Sequence, residues 1–203
     1  MTRYAHLAFT DTVRQIQHER GSAQAVGRQL GQHNSVDPLT AAEAAFIAAR
    51  DGFYLASVTE TGWPYVQFRG GPPGFVHVLD EHTLAYTDVR GNRQYITTGN
   101  VRADDRVAMF FMDYARQARL KLFGHATFLA LHARPELTDR LNSRRTDGRP
   151  ERVVLVQIEG FNWNCSQHIT PRYSAAEISA LHDRLAELER ENRVLRSRLS
   201  TVD

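Results

Sequence analysis

The sequence predicts a mainly β fold: an antiparallel barrel with flanking helices, followed by a C-terminal helix of separate character. Three observations carry this expectation. Many short apolar segments lie at hairpin spacing, few helical segments interrupt them, and no strand–helix alternation of the parallel type occurs. The last part of the chain instead repeats leucines on steps of three and four.

The chain has 203 residues, one domain of ordinary size with appendages. Its net charge is +2 with both signs interspersed, which gives no footprint for nucleic acid or a membrane surface. The one cysteine, Cys165, excludes an internal disulfide framework and fits a reducing compartment. No apolar run is long enough for a leader or a bilayer span, so a soluble cytoplasmic protein is expected.

In chain order, Thr10 caps a short helix with Val13 and Ile16 on one face, closing at Gly21. Residues 21–38 read as an irregular arm, so 1–38 form an N-terminal helix and arm. Thr40 and Glu43 form a capping box, with Leu39 placed to staple onto Ala44, and the helix stops before Gly52. Phe53 to Thr59 alternates as a strand, and Glu60-Thr61-Gly62 turns into the strand Trp63 to Arg69. On that strand Tyr65, Gln67 and Arg69 share one face, and Val66 and Phe68 the other.

Phe75–Leu79 and Leu84–Thr87 are further short strands, and Gly91-Asn92-Arg93 opens a helix ending near Gly99. Arg106–Met112 and Arg119–Leu131 are the longest apolar strands, Pro135 starts a helix to about Arg144, and Arg152–Phe161 is the last strand. Residues 39–173 thus form the main domain, and 174–203 the terminal helix.

Two arginines stand out. Arg69 ends a half-buried strand, and Arg93 sits at a predicted helix start, where free N–H groups and the helix dipole favour an anion. Together they make a candidate phosphate clamp. The alternative is a pair of solvated surface cations.

The ordered set Gln67-x-Arg69-Gly70-Gly71, Tyr86-Thr87, Arg90-Gly91-Asn92-Arg93-Gln94 and Asn100 resembles the flavin-binding core of the pyridoxamine 5'-phosphate oxidase-like split-barrel family. The likeness runs from about Thr40 to Tyr173 and is greatest to the family's flavin-nucleotide-binding proteins of unassigned substrate. It implies an FMN-binding split β-barrel of antiparallel Greek-key type, working as a homodimer with flavin at the interface. It also implies that Arg69, Thr87, Asn92, Arg93 and Gln94 grip the phosphate and ribityl chain, with Gln67 and Tyr86 in the same motifs.

Val66 and Phe68 would then meet the flavin ring, and Arg119, with Lys121 on the same strand face, would reach its pyrimidine edge. Trp163 and Asn164 would touch the ring across the dimer, and His168 and Arg172 would face substrate; Trp163 as a plain interface anchor is the alternative. One departure concerns Gln94, where the oxidases carry lysine; Arg90 or Lys121 would have to replace that cation. The oxidases' Arg-x-His substrate motif is also replaced, here by Thr170-Pro171-Arg172.

Cys165 and His168 spell C-x-x-H without a second pair at zinc spacing, so no metal is expected. No P-loop, H-E-x-x-H or G-x-S-x-G is present. The leading expectation is an oxidoreductase using FMN on a small molecule. The other is a non-catalytic binding or sensing module for flavin, F420 or haem, with His125 or His168 as haem ligands.

In the terminal helix Ile178, Leu181, Leu185, Leu188, Asn192, Leu195 and Leu199 take the a and d positions. Asn192 at a favours a parallel dimer, in which Arg184 would meet Glu189 of the other copy and Glu191 would meet Arg196. Packing of the helix on its own barrel is the alternative. Phe161 to Ala176 is not a basic region, which argues against a DNA-binding zipper.

Overall fold

The computed structural model describes residues 3–27, 35–142, 148–163 and 167–199. It divides into two compact units, residues 1–113 with 118–166, and residues 114–117 with 167–203.

The first unit is built on one open sheet of seven strands in the order β2-β1-β5-β6-β7-β4-β3. The strands are β1 (Gly52–Val58), β2 (Pro64–Gly70), β3 (His77–Asp80), β4 (Thr83–Val89), β5 (Arg106–Asp113), β6 (Ala118–Ala130) and β7 (Pro150–Trp163). Every neighbouring pair is antiparallel, as the hairpin spacing predicted. β1 pairs with β5 and β4 with β7, so the chain crosses over twice before the sheet is complete.

One face of this sheet carries the core. Phe53 stands at its centre, with ring centroids 5.9 Å from Phe75, 5.2 Å from Tyr86 and 5.1 Å from Phe111. Phe111 is opposite Phe53 in the β1–β5 register, and Leu120 is opposite Phe111 in β5–β6, so one apolar row crosses three strands. On the other side of β4, Ala85 and Val153 meet Leu141 of helix α6 (Pro135–Asn142) in a second, smaller cluster.

Among the other helices, α1 (Arg3–Ala8), α2 (Asp11–Glu19) and α3 (Ala23–Gly27) precede the sheet. Helices α1 and α3 are not foreshadowed by the sequence pattern, being too short to show a period. Helix α1 is held by a tertiary device. The buried Asp37 carboxylate accepts the N–H groups of Arg3 (2.9 Å) and Tyr4 (3.3 Å), and that of Phe161 on β7 (3.3 Å). Gly160 is required there, since a Cβ would fall 2.4 Å from Tyr4 N. Tyr4 then stacks on Phe123 at 4.5 Å.

Helix α4 (Ala41–Ala48) begins at the capping box expected for Thr40 and Glu43. Helix α5 (Ile96–Ala103) begins three residues later than Arg93, which lies in the preceding loop rather than in a first helical turn. Its buried Asn100 donates to Ser57 Oγ at 2.9 Å and fixes the helix to β1.

The second unit contains α7 (Ala175–Leu199), started by Ser174, whose hydroxyl accepts the N–H of Glu177 at 3.2 Å. Gln117 donates to Ile169 O at 2.6 Å within this unit. The a and d residues Ile178, Leu181, Leu185, Leu188 and Leu195 all lie exposed, Leu181 at 62%. No helix among the described residues is long and apolar enough to cross a membrane.

Candidate functional site

A cleft forms where β2, the end of β4, the start of α5 and the start of β7 converge. Strand alternation places Gln67 and Arg69 on the core-side face of β2, opposite Leu55 and Phe53 in the β1 register. The loop after β4 brings Asn92, Arg93 and Gln94 to the same cleft. The two candidate clamp arginines, one on a strand and one on a loop, therefore share a site.

The loop is tightly bent. Arg93 (φ 63°) and Tyr95 (φ 54°) both adopt the left-handed region that L side chains rarely enter. Asn92 Oδ1 accepts the N–H of Gln94 at 3.1 Å, an Asx turn that supports the bend. Tyr95 is the N-cap of α5 and offers no capping side chain, while Ile96, Thr97 and Thr98 of the first turn line the cleft. An uncapped helix start beside cations is a favourable place for an anion.

Arg152, at the start of β7, ties these pieces together. Its Nη1 donates to Thr98 Oγ1 at 2.9 Å and its Nη2 to Glu151 Oε2 at 2.8 Å. Its guanidinium lies 5.2 Å from the ring of Tyr95 and 5.1 Å from that of Phe128. Tyr95 in turn donates its hydroxyl to Glu151 Oε1 at 2.8 Å, and this bond, ahead of the nearby arginines, lowers the Glu151 pKa.

Between Arg152 and Arg69 sits the buried carboxylate of Asp88. Arg152 Nε is 3.1 Å from Oδ2, and Arg69 Nε 3.6 Å from Oδ1. Neither Nε makes an aligned hydrogen bond, although both are buried. Burial raises the Asp88 pKa, and the opposing pull of the two arginines does not reverse it. Burial likewise raises the Tyr86 phenol.

Other predicted residues lie elsewhere. Tyr86 is in the core, 1% exposed. Thr87 faces α6, with a 3.3 Å hydrogen bond to Asn142 Oδ1, because alternation turns Asp88 rather than Thr87 toward the cleft. Val66 and Phe68 stand on the opposite face of β2, 60% and 54% exposed. Arg119 and Lys121 also lie on that other sheet face, since their neighbours Leu120 and Leu122 fill the core. Lys121 sits over the Tyr4 ring at 5.3 Å, and burial, then Arg119, lowers its pKa. Neither Lys121 nor Arg90 lines the cleft, whose third cation beside Arg69 and Arg93 is Arg152.

Trp163 is bound to its own chain, its indole N–H donating to Glu43 Oε1 at 2.6 Å and its ring 4.7 Å from Phe46. Asn164 and Cys165 lie outside the described residues. In the second unit His168 has φ 64°, and Arg172 lies 5.1 Å over the Tyr114 ring. On β6, His125 Nδ1 is 2.7 Å from Asp105 Oδ1, and its Nε2 3.7 Å from Glu159 Oε1. Among the described residues no three His, Cys, Asp or Glu side chains cluster as a metal site.

Asp88, Tyr95, Thr98, Glu151 and Arg152 are among the cleft residues that sequence reasoning missed. The spacing Tyr86-x-Asp88 placed Asp88 on the inner face and was the available signal. Arg152 had none, because only the β4–β7 pairing brings it to Asp88.

The fold resembles that of solved proteins at low identity. HupZ of Group A Streptococcus is 17% identical with a TM-score of 0.51, over 66% of this chain and 100% of that one. An FMN-binding protein from Syntrophomonas wolfei is 12% identical with a TM-score of 0.47, over 60% of this chain and 83% of the other. The chain has no match among curated proteins. The family model described as pyridoxamine 5'-phosphate oxidase matches residues 39–159, more than half of the chain and all of β1 to β6. With its arginine-lined cleft and antiparallel sheet, the chain belongs to the pyridoxamine 5'-phosphate oxidase family.

Proposed function

We propose that this protein is an FMN-binding flavoprotein, an oxidoreductase acting on a small molecule, with its flavin held at the interface of a homodimer. The observation that carries the reading is the convergence of Arg69, Arg93 and Arg152 beside the uncapped start of α5, with two buried arginine Nε donors lacking aligned acceptors. A phosphomonoester supplies acceptors in the geometry that forked guanidiniums match. Such a group fits the donor set present.

The chain's own residues do the holding. Arg69 and Arg93 neutralise the phosphate, Gln67 and Gln94 offer amides to a polyol chain, and Asn92 fixes the loop that carries Arg93. FMN, when bound, supplies one- or two-electron transfer. The cleft encloses about 170 Å³. That is below the ~300 Å³ at which pockets begin to bury a drug-sized ligand, so it suits the phosphate end and leaves the ring to be covered by other walls.

Two features support a second copy as the source of those walls. Tyr54, Val66 and Phe68 stand exposed together on the outer face of β1 and β2, with the Tyr54 and Phe68 rings 5.4 Å apart. The exposed heptad face of α7 supports parallel pairing of two chains. In this reading the outer-face residues Val66, Phe68, Arg119 and Lys121, with Trp163, belong to the ring side of the completed site.

The test is the absorption spectrum of the purified protein, with the chromophore identified after denaturation. Released FMN is expected, and the double variant Arg69→Ala/Arg93→Ala should lose it while staying folded. F420 carries a phosphate that the same cations could hold, and its spectrum would redirect the cofactor assignment; a Soret band would favour haem. A folded wild-type chain that takes up no added FMN would overturn the proposal.

A further inference from the structure

Asp88 is an acid set between two guanidiniums of an anion-binding cleft. The charged and titratable groups facing it are Arg69 from β2, Arg152 and Glu151 from β7, and Tyr86 from its own strand. Glu151 already has two donors, the Tyr95 hydroxyl and Arg152. No histidine lines the cleft among the described residues. Asp88 has only the flanking arginines, and neither makes an aligned hydrogen bond through its Nε.

We infer that Asp88 is the resident counter-anion of the cleft, and that binding of a dianion at Arg69 and Arg93, in the cleft that Arg152 also lines, is coupled to uptake of a proton from solvent by Asp88. The inference rests on the reading of the cleft as a phosphate site and adds its regulation. A dianion that engages the arginines brings negative charge close to a carboxylate with little water to screen it, and repulsion of this kind favours the protonated acid. Burial already pushes the Asp88 carboxyl in that direction. By linkage, anion affinity rises as pH falls through the titration of Asp88, and it levels off above that range.

Inorganic sulfate is the suitable probe, because it keeps both charges over the range in which phosphate titrates. Calorimetric titration of the full chain should show sulfate affinity rising several-fold from neutral pH toward about pH 5. Asp88→Asn keeps the side-chain shape and removes the charge. It should bind sulfate about tenfold tighter at neutral pH and lose the pH dependence.

Should that variant fail to fold, wild-type binding measured in two buffers of different ionisation heat gives the proton count directly. Net uptake of a fraction of a proton or more supports the coupling. Zero uptake, a flat pH profile, or weaker binding by a folded Asp88→Asn overturns it. Binding that needs Arg69 and Arg93 but ignores pH removes only the coupling. Absence of sulfate binding at every pH, or binding indifferent to loss of both arginines, removes the anion site and the coupling together.

Discussion

Trp163 donates its indole N–H to Glu43 Oε1 at 2.6 Å, and the other oxygen of that carboxylate caps α4 by accepting from Thr40 N at 3.0 Å and from the Thr40 hydroxyl. One buried acid thus closes a helix start and fixes the end of the longest strand. Burial alone would raise its pKa, but the hydrogen bonds from Thr40 and Trp163 outweigh that and leave it lowered.

Glu43→Ala should therefore cost about 1–2 kcal/mol of stability, the usual loss for a cap plus a charged hydrogen bond. A folded-state pKa below the unfolded one means that the stabilisation is present above the unfolded carboxylate range and fades as pH falls through the folded value. Urea unfolding followed by far-ultraviolet circular dichroism at several pH values checks both. Wild type and Glu43→Gln should converge in stability at acid pH and differ at neutral pH.

Arg152 makes two hydrogen bonds and two ring contacts in a fixed orientation. Arg152→Lys keeps the charge but not the planar fork, so it should weaken FMN binding by about tenfold or more. Arg152→Met should weaken it further and lower stability by about 3 kcal/mol, because Asp88 is left buried with one distant cation. Flavin titration and thermal unfolding of both variants measure the two effects; equal FMN affinity in all three proteins would exclude a positioning role.

Phe53 contacts three aromatic rings at the centre of the sheet and is 1% exposed. Phe53→Ala should destabilise by about 3–5 kcal/mol, through lost burial and the cavity left between β1 and β5. The urea midpoint should fall with the slope unchanged.

The proposed pairing of α7 has its own test. Leu181→Glu with Leu185→Glu places four acids in the seam of a parallel pair, and sedimentation should show weaker self-association together with loss of helical circular dichroism. Unchanged values of both would assign the helix another role.

What was legible in the sequence was local. The Thr40–Glu43 box, the alternation of β1, β2 and β5, and the apolar run of β6 depend on neighbours a few residues apart, and they stand as read. Arg69 and Arg93 could be paired because the resemblance supplied the tertiary link that spacing lacks. The start of α5 was misplaced because Arg93 and Tyr95 take a left-handed backbone that favours glycine, which no non-glycine sequence announces. The resemblance points to Thr87 and is silent on Asp88, because a family motif carries no statement of strand face. Arg152 emerges only from the register of β4 on β7, a property of the assembled sheet.

The Asp37 anchor bears on the order of events during synthesis. Its carboxylate joins the first residues of α1 to Phe161, a partner 124 positions further along. A growing chain cannot make this junction until the last strand has left the ribosome. Helix α1, although translated before every strand of the sheet, is thus among the final pieces to settle, and until then Phe123 lacks the ring that stacks on it.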